Sequence, residues 1–225
     1  MKASFYGFNG FDKSIFRHGK MVLLISVGQP YHEGDRLAAT VHLLSKYFSN
    51  CEVVLADTLQ RHTYMARNNG IDVDAAKRIA YESGTKWISD NLDILNSFVF
   101  PFTISRWDSW LERKEFVGQK DVVRKLYCLN DNYQKCIDST ISKFVERNSR
   151  YVHSDEDLKR FCDNSLNYLI EECAVIMPMW AGQGVNWIVY PKENTEAMAA
   201  TRDLFVTDPS LVRWVPIRFK RRGKR

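Results

Sequence analysis

Two short apolar runs, separated by a stretch with helical spacing, dominate the first quarter of the chain. Residues 21–27 and 51–56 are each bounded by polar or glycine residues, as strands buried on both faces are. Between them, residues 35–48 carry apolar side chains at intervals of three and four, which predicts an amphipathic helix. A strand, a helix and a strand of these lengths form a βαβ unit, so the two strands are predicted to run parallel.

The rest of the chain continues this alternation of helices and strands. A long helix is predicted over residues 72–95, with Asp72 or Asp74 as its cap. Another is predicted over residues 155–176, behind Ser154 as its N-cap. Residues 1–19 show no period and are expected to be irregular. The pattern favours a doubly wound α/β fold with a mostly parallel sheet, in one domain over residues 1–225. The other predicted elements are strands over 97–104, 185–189 and 212–219, and helices over 107–117, 121–148 and 193–205.

Composition and charge narrow the class of protein. With 45% hydrophobic and 26% charged residues the chain is globular, and no apolar run approaches the roughly 18 residues that cross a bilayer. The N-terminus lacks the features of a signal peptide, so the sequence predicts a cytoplasmic protein. The net charge is +5, and the six positive charges of residues 218–225 more than account for it. This end is predicted to be a flexible basic tail, which either binds a polyanion such as RNA or is simply solvated.

The sequence contains neither a metal-binding nor a nucleotide-binding motif. Its five cysteines are odd in number and lack C-x-x-C spacing, and its five histidines lack H-E-x-x-H spacing. No G-x-G-x-x-G loop follows the first strand, and no P-loop is present. We therefore expect no metal and no cofactor, and a sheet that binds neither ATP nor NAD.

The carboxyl ends of the predicted strands are where a ligand is expected. Ser26 lies at the end of the first strand, just before the turn at Gly28, where its hydroxyl would project beside main-chain amides. Tyr190 and Pro191 close the late strand, because proline cannot continue a central ladder. On these residues alone, Ser26 is either a nucleophile or, as is commoner for a lone serine, a structural residue.

Tyr168 and Glu172 form a second candidate pair. They lie four residues apart on a predicted helix, so both side chains can point into one pocket. A buried glutamate beside a tyrosine could hold an ammonium group and exchange a proton with it. The alternative is an amphipathic helix with an ordinary polar edge. The side chain of the neighbouring Glu171 lies on the opposite face of this predicted helix and is expected to face solvent.

Four segments, in this order, resemble the cyclodipeptide synthases, which make 2,5-diketopiperazines from two aminoacyl-tRNAs. The likeness extends over residues 17–219 and implies a Rossmann-like fold, similar to the catalytic domains of class I aminoacyl-tRNA synthetases without their ATP site. The segments are RHGKMVLLISVGQPYH with Ser26 at the family's nucleophile position, Asp57-Thr58-Leu59, LNYLIEECAV with Tyr168 and Glu172 at the family's Tyr-x-x-x-Glu, and WIVYP with Tyr190 at its second tyrosine.

The resemblance also implies a mechanism. Ser26 would form an aminoacyl ester and then a dipeptidyl ester, with main-chain amides near Gly28, together with Gln29, stabilising the oxyanion. Tyr168 and Glu172 would hold the amino group, Glu172 would accept its proton, and Tyr190 would relay protons. The family has two branches. One carries Asn three residues after the nucleophile and Gln or His after the second tyrosine, whereas the other carries a variable residue and proline at these two positions. Gln29 and Pro191 favour the second branch. The implied catalytic set is Ser26, Tyr168, Glu172, Tyr190, Gln29, Gly28 and Pro191.

The resemblance also implies substrate-binding residues, which are assigned by their position in the sequence. The pocket for the first side chain would be formed by Val22, Leu24, Val54, Ala56, Val175 and Ile188. The helix after the second strand, basic in many members, is near neutral here, so tRNA docking draws on a wider set. That set is Lys77, Arg78, Lys86, Arg113, Lys114, Lys120, Arg124, Lys125 and the basic tail. The implied partners are two aminoacyl-tRNAs per product, with neither DNA nor a membrane, and a monomer fits a chain of this length.

Two alternatives remain open at the level of the residues. The first is a hydrolase of simple esters with Ser26 as nucleophile and His32 or His62 as its base. The second is a non-catalytic RNA-binding protein, in which the basic tail makes the contact and Ser26 is a packing residue.

Overall fold

A computed structural model describes residues 1–8 and 12–220. The strands are β1 (Lys2–Phe5), β2 (Lys20–Ile25), β3 (Cys51–Leu55), β4 (Phe102–Arg106), β5 (Val185–Tyr190) and β6 (Arg213–Lys220). The α-helices are α1 (Gly34–Tyr47), α2 (Arg61–Arg67), α3 (Val73–Leu95), α4 (Trp107–Leu111), α5 (Phe116–Leu129), α6 (Asp131–Arg147), α7 (Asp155–Ala174), α8 (Trp180–Gly182) and α9 (Glu196–Phe205). The strands form one sheet in the order β1-β6-β5-β2-β3-β4, with β2 to β6 parallel and β1 antiparallel to β6.

β2 is buried on both faces because helices cover both sides of the sheet. Met21 and Leu23 pack in one core with residues of α1 and α3. Val22 and Leu24 pack in the other core, with residues of α5, α6 and α7. Side chains alternate along a strand. The next residue on the second face is therefore Ser26, which directly follows the strand.

The strand order reverses at β2, and this reversal creates the crevice where the site lies. β3 pairs with one edge of β2 and β5 pairs with the other, both in parallel. The connections that leave β2 and β5 therefore run in different directions, and ligands of open α/β sheets bind in the gap between them. Ser26 follows β2 and Tyr190 ends β5, so both residues border this gap.

The α/β class and the mostly parallel sheet are confirmed, and so are two predicted helix starts. The side chain of Asp72 accepts from the Ala75 amide at 2.7 Å, and Ser154 accepts from the Asp157 amide at 3.1 Å. Each bond satisfies one of the donors left unpaired in a first helical turn. Such caps are local, so the sequence predicts them, and of the two candidates for α3 it is Asp72 that caps the helix.

The predictions differ from the structure at the sheet edges and in the helices predicted over 107–117 and 121–148. The first ends at Leu111, and α5 then runs through the predicted gap between the two. The irregular stretch expected over residues 1–19 contains β1, which is half-exposed at the edge and so lacks an apolar run. β4 begins after Pro101, not at residue 97. The helix predicted over 121–148 is interrupted: α6 starts behind Asn130, whose side chain accepts from the Tyr133 amide at 3.0 Å.

The Asp57-Thr58-Leu59 segment has a structural role at the end of β3. Asp57 is fully buried, and it accepts from the Thr58 amide at 2.8 Å and from Arg106 Nε at 2.6 Å. A Cβ added at Gly84 of α3 would lie 2.3 Å from Asp57 Oδ2. Glycine at this position therefore lets α3 approach the buried ion pair.

The C-terminal basic stretch divides between a strand and residues outside the structure. Residues 218–220, expected to begin a flexible tail, belong to β6 and pair with β1 as far as Lys2. The remaining tail residues, 221–225, lie outside the described residues. None of the helices in the described ranges has the length and apolar character that crossing a membrane requires.

Candidate active site

A cavity of about 340 Å³ opens at the carboxyl ends of β2 and β5. Residues from α2, α6, α7 and the segment after β5 complete its wall. Five of the seven predicted catalytic residues line it: Ser26, Gln29, Tyr168, Glu172 and Tyr190. Gly28 and Pro191 are their chain neighbours and are not part of the wall. The cavity thus brings together residues that are far apart in the sequence.

Ser26 takes part in a chain of hydroxyl groups. Its Oγ lies 2.9 Å from Tyr190 Oη, which lies 3.0 Å from Tyr31 Oη. Burial raises the pKa of the Tyr190 hydroxyl well above its usual range, so the phenol stays protonated. Tyr31, which sequence analysis missed, also lines the cavity. It sits in a short helical turn, Pro30–His32, where no pattern marks it as a partner of a residue after β5.

The main chain of Ser26 is held by His32. The Ser26 amide donates to His32 Nδ1 at 2.8 Å, and the His32 carbonyl accepts from Trp87 Nε1 at 3.0 Å. Burial lowers the pKa of His32 to about 3, so its imidazole is neutral. His32 therefore fixes the position of the serine main chain, whereas the serine hydroxyl contacts Tyr190.

The turn after β2 presents main-chain amides beside the Ser26 hydroxyl. Gly28 has φ +78°, a left-handed conformation that favours glycine. The Gln29 amide donates to the Ser26 carbonyl at 3.3 Å, which closes the turn. With the Ser26 and Gln29 amides engaged, those of Val27 and Gly28 remain the candidates for stabilising an oxyanion.

Tyr168 and Glu172 lie one turn apart on α7 and both face the cavity. Glu172 is partly exposed, towards the cavity, and protein surrounds it elsewhere. This burial raises the pKa of its carboxyl to about 8, while the hydrogen bond with Tyr168 acts in the opposite direction. The carboxyl is thus largely protonated at neutral pH, and a bound ammonium group would favour its ionised form.

The prediction that Glu171 faces solvent is wrong. Only 1% of its surface is exposed, because α2 packs against this face of α7. Arg61 Nη1 and Trp107 Nε1 each donate to Glu171 Oε1 at 2.9 Å, and Arg61 Nη2 pairs with Oε2. Burial alone would raise the pKa of Glu171, but hydrogen bonds with His62 and Arg61 lower it to about 2. Helical spacing could not reveal that a second helix covers this face.

Breaking this buried ion pair is expected to destabilise the fold. In Glu171→Gln, Arg61 keeps its charge but loses its partner, so the free energy of unfolding at pH 7 should fall by about 3–5 kcal/mol. A group with a lowered folded pKa stabilises above its unfolded pKa and loses that contribution as pH falls through its folded value, here about 2. Urea titrations at several pH values measure this difference. Glu82→Gln, at an exposed site on α3, is the control, and an equal small effect in both variants would contradict the prediction.

The residues that form the wall of the cavity differ from the side-chain pocket that the family resemblance implies. Of the six residues in that set, Leu24 lines the cavity. The others are fully buried in the adjoining core: Val22, Val54, Ala56, Val175 and Ile188. The wall instead includes Phe144, Phe161 and Met198, from three different helices. No feature of the sequence groups these three, because only the packing of α6, α7 and α9 brings them together.

The residues expected to dock tRNA lie outside the cavity wall, on two regions of the surface. Lys77 and Lys86 of α3 are paired with carboxylates, Lys77 with Asp108 at 3.2 Å and Lys86 with Asp90 at 2.8 Å. Within the described ranges, the residues of the second region form no ion pairs. They are Arg113 and Lys114, before α5, and Lys120, Arg124 and Lys125, on α5. Cations without an ion pair therefore concentrate near α5 rather than on α3, where Arg78 is the remaining cation of the set.

The fold and the site define a class first: Rossmann-like α/β proteins with a cavity at the carboxyl ends of the parallel strands. A solved structure from Mycobacterium tuberculosis, which demonstrates that cyclodipeptide synthetases are related to type I tRNA synthetases, matches with a TM-score of 0.64. It is 12% identical in sequence and covers 96% of this chain and 90% of its own. At that identity the likeness shows the fold alone. No protein-family model and no curated protein matches the sequence.

A more similar structure identifies the family. A cyclodipeptide synthase from Fluoribacter dumoffii is 31% identical, with a TM-score of 0.90, over 98% of this chain and 99% of that one. The chain therefore belongs to the cyclodipeptide synthases, which are tRNA-dependent aminoacyltransferases. The cyclodipeptide synthase from Candidatus Glomeribacter gigasporarum, solved bound to Phe-tRNAPhe, has a TM-score of 0.69 at 21% identity, over 92% of this chain and 89% of that one. Nothing in these similarities favours the hydrolase or the non-catalytic RNA-binding protein.

Proposed function

We propose that this protein joins the aminoacyl groups of two aminoacyl-tRNAs into a cyclic dipeptide, with Ser26 as its nucleophile. The observation that carries the proposal is one cavity lined by Ser26, Tyr190, Tyr168 and Glu172. These residues supply a nucleophilic hydroxyl, a hydroxyl that can relay protons, and a tyrosine–carboxyl pair suited to an amino group. An aminoacyl ester is already activated, so the chemistry needs no nucleotide.

In the first half of the proposed reaction, Ser26 Oγ attacks the ester carbonyl of the first aminoacyl-tRNA. A serine ester forms, and the ester bond to the tRNA ribose breaks. The serine proton passes to the released ribose hydroxyl, for which Tyr190 Oη, at 2.9 Å from Ser26 Oγ, is the nearest relay. The amides of Val27 and Gly28 would stabilise the negative charge that develops on the carbonyl oxygen.

In the second half, the amino group of the bound residue becomes the nucleophile. Tyr168 and Glu172 hold this group, and Glu172 accepts the proton that an ammonium must lose before it can attack. Attack on the second aminoacyl-tRNA forms a peptide bond and releases the second tRNA. The new terminal amine then attacks the Ser26 ester, which closes the six-membered ring and regenerates the hydroxyl, with Tyr190 relaying the proton.

The branch of the family is part of the proposal. Gln29 stands three residues after Ser26, on the cavity wall, and Pro191 directly follows Tyr190 at the end of β5. This combination supports the branch that has a variable residue three positions after the nucleophile and proline directly after the second tyrosine. We further propose that the chain acts as a single catalytic domain and a monomer, in the cytoplasm, where charged tRNA is made.

The test of this proposal is synthesis from purified components. The protein is incubated with bulk tRNA charged with all the amino acids, and the products are analysed by mass spectrometry. Masses of cyclic dipeptides, dependent on charging, are the expected result. Turnover of simple esters without such products would instead favour the hydrolase, and RNA binding with no turnover would favour the non-catalytic alternative.

The α5 region is proposed as the surface that docks the tRNA arm. Arg124 and Lys125 are exposed and form no ion pairs in the described part of the chain. Arg124→Glu with Lys125→Glu should weaken tRNA binding by about tenfold or more. The slope of log affinity against log salt concentration should become shallower by the amount that about two lost phosphate contacts would give. Filter binding over a series of salt concentrations measures both quantities.

The matched control is Lys135→Glu with Lys159→Glu, the same charge change at exposed sites on α6 and α7. A second comparison removes residues 221–225 alone, because residues 218–220 belong to β6. If the α5 variant keeps the affinity and salt dependence of the wild type, α5 is not the docking surface.

A further inference from the structure

Three exposed cations stand at the mouth of the cavity, outside the catalytic set. Arg67, Arg147 and Lys192 line the cavity together with Ser26. Arg67 ends α2, Arg147 ends α6, and Lys192 follows Tyr190 by two residues. Three separate elements of the fold therefore bring positive charge to the same opening.

Carboxylates do not neutralise these charges. None of the three cations forms an ion pair within residues 1–8 and 12–220. Their contacts are with neutral groups. Arg67 donates to Asn148 Oδ1 at 2.8 Å, Arg147 donates to a main-chain carbonyl at 2.9 Å, and Lys192 Nζ lies 5.0 Å from the centre of the Tyr31 ring. These contacts fix the cations and leave their charge available to a ligand.

The cations also act on each other. Partial burial, together with the nearby charge of Arg147, lowers the pKa of Lys192. The carboxyl groups of the wall are those of Glu193, at the mouth, and Glu172, which is largely protonated at neutral pH. Like charges gathered at one opening repel each other. An anion bound between them would remove this repulsion.

An uncharged acceptor at the same wall also lacks a partner. Asn194 Oδ1 is buried and has no hydrogen-bond partner among the described residues, although its residue lines the cavity. A buried acceptor left without a donor is unfavourable. The segment 192–194 therefore places both a cation and a polar side chain on the cavity wall.

We propose that Arg147 and Lys192, assisted by Arg67, bind the phosphate of the terminal nucleotide of the acyl donor, while the ester on the same ribose lies at Ser26. This inference rests on the proposed function. A chain of contacts connects the two sites: Ser26, Tyr190 and Tyr31 are linked by hydrogen bonds, and Lys192 lies over the Tyr31 ring. A phosphate contact positions a nucleic acid without reading its bases, so this site would accept the end of any charged tRNA.

The experiment compares two acyl donors that differ by one phosphate. Both are 3′-aminoacyl esters of adenosine, one with and one without a 5′-phosphate, and the amino acid is one found in the wild-type product. Intact-mass spectrometry follows the rate at which each donor acylates the protein. The wild type should prefer the phosphorylated donor, and Arg147→Gln with Lys192→Gln should reduce this preference by about tenfold or more. Lys135→Gln with Lys159→Gln, at exposed sites on α6 and α7, should keep it.

Each outcome bears on a distinct claim. A preference that is equal in the wild type and the Arg147/Lys192 variant overturns the phosphate site, and so does a wild type that does not distinguish the two donors. A wild type that charged tRNA itself fails to acylate would overturn the proposed function instead. Matching circular dichroism spectra of the two double variants exclude unfolding as the cause of a lost preference.

Discussion

Replacing Ser26 with alanine should abolish cyclic dipeptide synthesis, with a loss of at least about a thousandfold. The methyl group cannot form an ester, so the first aminoacyl group has no covalent attachment while the second tRNA binds. The substitution removes one hydrogen bond of Tyr190, which keeps its contact with Tyr31 at 3.0 Å. The fold should therefore survive, because Ser26 follows β2 rather than packing within it.

Two measurements check this expectation. Mass spectrometry of the culture medium compares cyclic dipeptides from cells expressing the wild type and Ser26→Ala. Intact-mass spectrometry of the purified proteins then looks for an added aminoacyl group after exposure to charged tRNA. Ser142→Ala, at an exposed position of α6, is the control and should behave as the wild type. Equal product from Ser26→Ala and the wild type would eliminate Ser26 as the nucleophile.

Replacing Glu172 with glutamine should stop the reaction at a later step. The acyl-enzyme should still form, but its ammonium group would lack the base that accepts its proton, and synthesis should fall by about 100- to 10,000-fold. The aminoacylated protein should therefore accumulate, which distinguishes this variant from Ser26→Ala. In the wild type, the rate should rise with pH up to about 8, where the carboxyl ionises, and this limb should disappear in Glu172→Gln.

The same substitution should increase stability. Glu172 has a raised folded pKa, so its contribution is fully present below the unfolded value of about 4.5 and is lost as pH rises to about 8. Glutamine avoids this loss, and the variant should gain a few kcal/mol over the wild type near pH 8 and almost nothing near pH 4. The adjacent Glu171→Gln, which should be destabilising at pH 7, is a matched control of opposite sign. Denaturant titrations across this pH range would contradict the interpretation if both substitutions destabilise equally.

The elements that depend on short-range patterns could be predicted from the sequence. The buried run around β2 and the helical spacing of α1 identify a parallel α/β unit, because strand burial on both faces and the helical repeat leave distinct signatures. The position of Ser26 follows from the same reasoning, since ligands bind at the carboxyl ends of such strands. The family resemblance added Tyr168 and Tyr190, which the periodicity alone would have assigned to packing.

What could not be predicted depends on contacts between distant segments. The exposure of Glu171 was misjudged because the helix that covers it, α2, begins 110 residues earlier in the chain, at its partner Arg61. β1 was missed because an edge strand with one partner needs no apolar run. Tyr31 joins the site through a contact with Tyr190, 159 residues away. In each case the interaction exists only after the tertiary fold has formed.

The position of β5 between β2 and β6 has a consequence during synthesis of the chain. Ser26 leaves the ribosome 164 residues before Tyr190, its hydrogen-bonding partner, and the strand that carries Tyr190 pairs with an edge of β2 that is unoccupied until then. At elongation rates of about 5–20 residues per second, the nascent chain spends roughly ten seconds or more without its second tyrosine. During that time Ser26 has emerged without the hydroxyl that would relay its proton. The fold thus delays the completion of the proposed acyl-transfer centre until the chain is almost finished.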